Sequence, residues 1–252
     1  MSTRFAKQMI YGTFYVVIWV LVIWLGYSLA THKPASCFDN IQNQGELGVD
    51  CGGPCATVCA PSAQAINVIS VNALTAPNGN DTFLAKITNP NGDFAAQSFS
   101  YAFNVYDTSG TLLESYPGQS FLYSQQIKYL LLANEVVPAG VAREDVTITD
   151  VNWVTASTMG TVPQLAVQNI LTQVASTTVV ATGQVANNDT ATFNNVFIVA
   201  VFKDANGNPV AASQTLLDSL APDQTQSFSV NYPTVPGIDP ALTEVDAYAT
   251  KG

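Results

Sequence analysis

The sequence predicts a mainly β protein in which an N-terminal transmembrane helix and a small disulfide-rich stalk precede two tandem β-sandwiches. Three observations carry this reading. Residues 10–30 form an uncharged apolar run, all four cysteines lie between residues 37 and 59, and the rest alternates apolar and polar residues in short runs that recur once. The expected divisions are residues 1–33 for a tail and anchor, 34–62 for the stalk, 63–155 for the first sandwich and 156–252 for the second.

The anchor is IYGTFYVVIWVLVIWLGYSLA, Ile10 to Ala30. As a helix it spans a hydrocarbon core of about 30 Å. Tyr11 and Tyr27 sit near the two expected interfaces, and Arg4 and Lys7 precede the run. The positive-inside rule then places the N-terminus in the cytoplasm and the C-terminal domains in the periplasm or at the cell surface. The rival reading is a cleaved signal peptide, because Ser28 and Ala30 are small residues at cleavage spacing. The run is longer than the usual signal core of about 7–15 residues. Five basic residues follow Pro34, against all eighteen acidic ones. Such an acidic surface repels phosphate backbones and excludes nucleic acid as a partner.

The cysteines follow the spacing C-x13-C-x3-C-x3-C. An even count in an exported segment predicts two disulfides among Cys37, Cys51, Cys55 and Cys59, with all three pairings open. Zinc is the alternative, although x3 spacing departs from the common paired pattern. Asp39, Asn43, Glu46 and Asp50 offer hard oxygen atoms among glycines, a composition that suits Ca²⁺. The competing reading is a stapled stalk whose acids and amides only make turns. The segment CFDNIQNQGELGVDCGGPC resembles a small Cys-rich module of extracellular proteins with a GVDCGG core, departing at Asn40, where Gly is common. The resemblance implies an extracellular module near a domain boundary, with no assigned catalysis.

Beyond the stalk, Ile66, Val68 and Val71 open an extended segment, and Pro77 to Asp81 form a turn. Thr82 to Ile87 follow, then a turn at Asn89-Pro90-Asn91-Gly92. Phe99, Tyr101, Phe103 and Val105 alternate with smaller residues, the period of a strand with one face buried, and Asp107 to Gly110 close a hairpin. The same order returns about a hundred residues later in Val179 to Val185, the turn Asn187-Asn188-Asp189, the alternating Val196, Ile198, Ala200 and Phe202, and the hairpin Asp204 to Gly207. This predicts two copies of one sandwich, each of about seven strands in an immunoglobulin-like or fibronectin-like arrangement, joined by a linker from Thr155 to Pro163. Trp153 and Tyr129 are expected in cores. The apolar stretch Phe121 to Leu132 reads as a buried strand pair, or else as an edge able to pair with another subunit.

Gly183, Asn187, Phe202, Asp204, Gly207, Leu220, Pro222 and Phe228 match the pattern of the bacterial domain known for its FxLYD signature, and the first copy resembles it more distantly. That resemblance implies exported β-sandwiches. The whole layout is similar to single-pass envelope proteins of candidate-phylum bacteria, which conveys fold and location rather than activity.

The single histidine, His32, lies at the membrane edge, so no Ser/His/Asp set is expected away from the bilayer. Glu135, Glu144, Asp145 and Asp150 as a carboxylate pair for sugar hydrolysis is the weakest reading. The expectation is a non-enzymatic, membrane-anchored extracytoplasmic protein that presents tandem sandwiches for protein–protein contact in adhesion, scaffolding or surface assembly. Its expected partners are the bilayer, through residues 10–30, and envelope or surface proteins or a second copy of itself. The alternative is a Ca²⁺-responsive sensor or ligand-binding protein, and last an envelope hydrolase.

Overall fold

The computed structural model describes residues 3–31, 37–38, 40–43, 45–46, 48–51, 53–55 and 62–251. Helix α1 (Thr3–Thr31) contains the predicted anchor. Its segment Lys7–Leu29 has a mean hydropathy of 2.0 and is long and apolar enough to cross a membrane. Within it the Thr13 hydroxyl donates to the Met9 carbonyl at 2.8 Å, so this polar atom does not need water.

Residues 63–252 form one compact unit. The first half contributes β1 (Asn67–Thr75), β2 (Asp81–Thr88), β3 (Phe94–Tyr106), β4 (Leu112–Leu122), β5 (Ile127–Glu135) and β6 (Arg143–Thr155). The second half contributes β7 (Leu165–Val174), β8 (Thr178–Asn187), β9 (Phe193–Lys203), β10 (Pro209–Leu220), β11 (Thr225–Pro233) and β12 (Glu244–Lys251). The predicted linker contains one helical turn, α2 (Ala156–Met159). Four antiparallel sheets result, ordered β1-β2-β5, β4-β3-β6, β11-β8-β7 and β10-β9-β12. Both halves thus have one topology: the first strand pairs the second, the second the fifth, and the third lies between the fourth and sixth.

The expectation of about seven strands is corrected to six per sandwich among the described residues. From β6 the chain turns directly into α2 and then β7, so the first copy has no seventh strand beside its sixth. The fourth strand also pairs with the third, whereas in the constant-type immunoglobulin order it pairs with the fifth.

Each sandwich has its own core. In the first, Phe99, Phe103 and Val105 of β3 face Phe83, Ala85 and Ile87 of β2. The rings of Phe83 and Phe103 stack with centroids 5.4 Å apart. In the second, Val196, Ile198, Ala200 and Phe202 of β9 face Val179, Ala181 and Val185 of β8.

One buried amide closes the same corner in both copies. Asn187 is fully buried at the end of β8, and its Nδ2 donates to the carbonyls of Ala191, at 2.8 Å, and Leu220, at 3.0 Å. Its Oδ1 accepts from the Asp189 amide. Asn89 does the same at the end of β2, donating to Phe94 and Tyr123 and accepting from Asn91. A glutamine completes each corner: Gln126 Oε1 accepts from the Tyr123 amide and Gln224 Oε1 from that of Ala221. Each asparagine therefore joins the exit of the second strand, the entry to the third and the end of the fourth, satisfying backbone groups that water does not reach.

The remaining residues of the matched pattern also have structural work. Asp204 Oδ1 accepts from the amides of Asn206 and Asn208, and Gly207 has φ 84° in the hairpin turn. A Cβ on Gly183 would lie 2.6 Å from Phe228 Cζ, so only glycine leaves room for that ring. In the first copy a ring lies over a glycine at a different place, Tyr101 of β3 over Gly118 of β4.

Asn187→Ala strands the buried Leu220 carbonyl, the partly buried Ala191 carbonyl and the Asp189 amide, and is expected to cost about 2–4 kcal/mol of unfolding free energy. The exposed neighbour change Asn188→Ala should cost under about 0.5 kcal/mol. Denaturant melts of the two variants check this, and a comparable loss for both would contradict the role of the buried amide.

Candidate functional site: the seam between the sandwiches

Cys37 and Cys55 are joined in a disulfide, with Cα atoms 5.7 Å apart. Cys51 is also disulfide-bonded, whereas Cys59 and Asp39 lie outside the described residues. Asp50 Oδ2 accepts from the Asn40 amide at 2.9 Å, and Glu46 Oε2 accepts from the Asn43 amide at 3.2 Å. Both carboxylates therefore accept from the module's own backbone. Glu46 also lies with Cys37 and Cys55 in a group whose ligand-type atoms are within 4.8 Å of one another. The two sulfurs are bonded to each other and offer no thiolate, so the group is not a metal site of that kind. Gly53 explains part of the GVDCGG core: a Cβ there would meet the Gly45 carbonyl oxygen at 2.1 Å.

The residues with unusual chemistry lie elsewhere. The outward faces of sheets β1-β2-β5 and β10-β9-β12 bury each other along a seam. Leu74, Leu84, Tyr129 and Leu131 from the first sandwich meet Val199, Val201, Ala212 and Tyr248 from the second. Strand β9 is thus apolar on both faces from Val196 to Phe202, the pattern of a strand covered on both sides, and β2 is buried on both faces from Thr82 to Ala85. The stretch Phe121 to Leu132 is corrected accordingly. It is largely buried, but not as a strand pair: it turns at residues 123–126 between β4 and β5, the edge strands of two different sheets, and its Phe121, Tyr129 and Leu131 pack into the seam.

One carboxylate anchors the polar end. Glu244 Oε1 pairs with Lys86 at 3.2 Å, and its Oε2 accepts from Lys203 Nζ and from the Tyr129 hydroxyl, the latter at 3.1 Å. Burial raises the Glu244 pKa, but the hydrogen bonds from Lys203 and Lys86 outweigh it and hold the carboxyl below its ordinary value. Beside it, burial and then repulsion from Glu244 push the Asp246 carboxyl up. The Tyr248 hydroxyl accepts from the Tyr129 amide at 3.2 Å, and burial drives its pKa far upward.

A cleft of about 320 Å³ opens beside this seam, lined among others by Phe121, Lys128, Phe197, Gln214 and Tyr248. Lys128 has the strand parity of the core residue Leu130, yet sits at the open edge between β4 and β5. Its Nζ donates to the Phe121 carbonyl at 3.2 Å and lies 3.4 Å from the centroid of the Phe121 ring. Burial alone lowers its pKa to about 7.

Sequence reasoning missed Lys86, Lys128, Lys203, Glu244 and Tyr248. A signal was available: two of the five basic residues after Pro34, Lys86 and Lys128, fall inside apolar strands, TFLAKIT and QIKYLLL, where a lysine needs a reason. Among the described residues, the proposed hydrolytic carboxylates form no such convergence. Asp145 accepts from Asn104, Tyr106 and Arg143 on the face of its own sheet.

No family model matches this chain, and no curated protein matches it. Among solved structures it is similar to a crystal structure of red sea bream transglutaminase, at 14% identity and a TM-score of 0.23. The match covers 75% of this chain and 31% of the transglutaminase chain, so the chain spans less than a third of that protein's length.

The burial of Lys128 makes stability depend on pH. Its folded pKa of about 7 lies below the unfolded value of about 10.4, so between the two the unfolded chain binds the extra proton. Stability therefore rises with pH across this window. Relative to Lys128→Met, the wild type should gain about 1 kcal/mol per pH unit between about pH 7 and 9. Denaturant melts at three pH values check this, and parallel pH profiles for the two proteins would contradict it.

Proposed function

We propose that this chain is a single-pass membrane protein whose N-terminus is cytoplasmic and whose stalk and sandwiches lie outside the cytoplasm. There the joined sandwiches act, without catalysis of their own, as a rigid module for protein–protein contact at the cell envelope, in adhesion, scaffolding or surface assembly. The observation that carries this reading is the union of both sandwiches in one compact unit that still exposes apolar side chains. On the edge strand β7, Ile170 is 41% and Leu171 56% exposed, at a bulge between Gln168 and Leu171. The bulge interrupts strand pairing and so favours contact through side chains over strand addition. The seam joins unlike sheets of the two copies, which leaves two different outer sheets for different partners. The orientation follows from Arg4 and Lys7 before the helix, and a disulfide in the stalk suits an oxidising compartment.

Two readouts in the native cell test the proposal. Protease added outside the cytoplasmic membrane should remove a C-terminal epitope and spare an N-terminal one. A photo-crosslinking residue at Leu171 should capture an envelope protein or a second copy. A protected C-terminal epitope, or a chain that stays monomeric and uncrosslinked, would contradict it.

A further inference from the structure

Lys128 is the cation the seam leaves without an anion. It is 7% exposed, and its Nζ lies near two aromatic rings, 3.4 Å from the centroid of Phe121 and 5.4 Å from that of Tyr248. Among the described residues no carboxylate lies within 4.0 Å of it, whereas Lys86 and Lys203 share Glu244. An ammonium carries three donors, and the Phe121 carbonyl takes one. A buried charge normally has a partner, because leaving it alone is costly. This one instead lines a cleft of about 320 Å³, a volume at the lower end of small-ligand pockets. The rest of the lining is the amides of Gln119 and Gln214, the Ser120 side chain, three tyrosines and apolar surface that includes Phe197, which is 38% exposed.

We propose that this cleft binds a small monocarboxylate with an apolar tail, the carboxylate pairing with Lys128 Nζ and the tail lying against Phe121, Phe197 and Tyr248. One positive charge balances one negative charge. A phosphate dianion would lack a second cation in the cleft, and a cationic ligand would meet Lys128. The binding is coupled to a proton. Burial leaves the empty-site lysine half-protonated near neutral pH, and a bound carboxylate restores its charge. The titratable groups that share the cleft are Tyr101, Tyr129 and Tyr248, all pushed up by burial and hence neutral in this range. β4, β9 and β10 face it with Gln119, Ser120, Phe121, Phe197, Val199 and Gln214, which do not titrate. Glu244 and Asp246 lie along the seam with Lys86 and Lys203.

Isothermal titration calorimetry of the full chain in nanodiscs tests this with benzoate, 3-phenylpropionate and 4-methylvalerate, each beside its primary amide. At least one acid should bind saturably at one site near pH 6.5, at about millimolar affinity or tighter. Its amide should bind at least about tenfold more weakly, and the acid should weaken by about tenfold per unit from pH 7 to 9. Lys128→Met should abolish binding while keeping its melting transition. Carbon NMR of the Lys128 Cε should show its pKa rising when the acid is added. The proposal fails if none of the three acids binds up to about 20 mM, if acid and amide bind alike, or if a folded Lys128→Met binds as well as the wild type. Should that variant not fold, the acid–amide comparison and the pH profile of the wild type decide alone.

Discussion

Two sheet faces that bury each other set the terms for the rest of residues 63–252. The outward sides of β2 and β5 meet the outward sides of β9 and β12, so side chains that would face water in a lone sandwich are Leu84, Leu131, Val199 and Val201. Removing these faces from water is favourable at about 25 cal/mol per Å² of apolar surface. It also makes any charge left between them costly unless it is paired. Glu244 answers that demand for Lys86 and Lys203 together, with the Tyr129 hydroxyl as a further donor. Lys128 is the departure from the rule, and the proposed ligand would supply what Glu244 supplies to the other two.

The two copies share their internal chemistry and differ in how they use their faces. Asn89 with Gln126 and Asn187 with Gln224 close equivalent corners through the same bonds. The rings that lie over glycines sit at different places, Tyr101 over Gly118 between the third and fourth strands and Phe228 over Gly183 between the second and fifth. The first copy, however, offers its first-second-fifth sheet to the seam, and the second offers its fourth-third-sixth sheet. Gly183, Asn187, Asp204 and Gly207 therefore hold the sandwich together and leave function to the surfaces.

Much of this was legible in the sequence. The alternation of β3 and β9, the Asn-rich turns and the recurrence after about a hundred residues each have a local cause in strand period or turn chemistry, so they survive without tertiary context. The seam does not. FIVAVF in β9 reads equally well as a strand inside one sandwich or between two sheets, and only spatial neighbours decide. Lys128 is opaque for the same reason, since its burial comes from Phe121 on another strand and Tyr248 more than a hundred residues away. The pairing of Cys37 with Cys55 needed backbone geometry, because three arrangements fit the spacing.

The seam makes the two sandwiches one cooperative body. Calorimetry of the chain in nanodiscs tests this most directly. The sandwiches should unfold in a single transition, with a van't Hoff enthalpy equal to the calorimetric one. Two separable transitions, or a van't Hoff enthalpy near half the calorimetric value, would show that the sandwiches unfold independently and would contradict it.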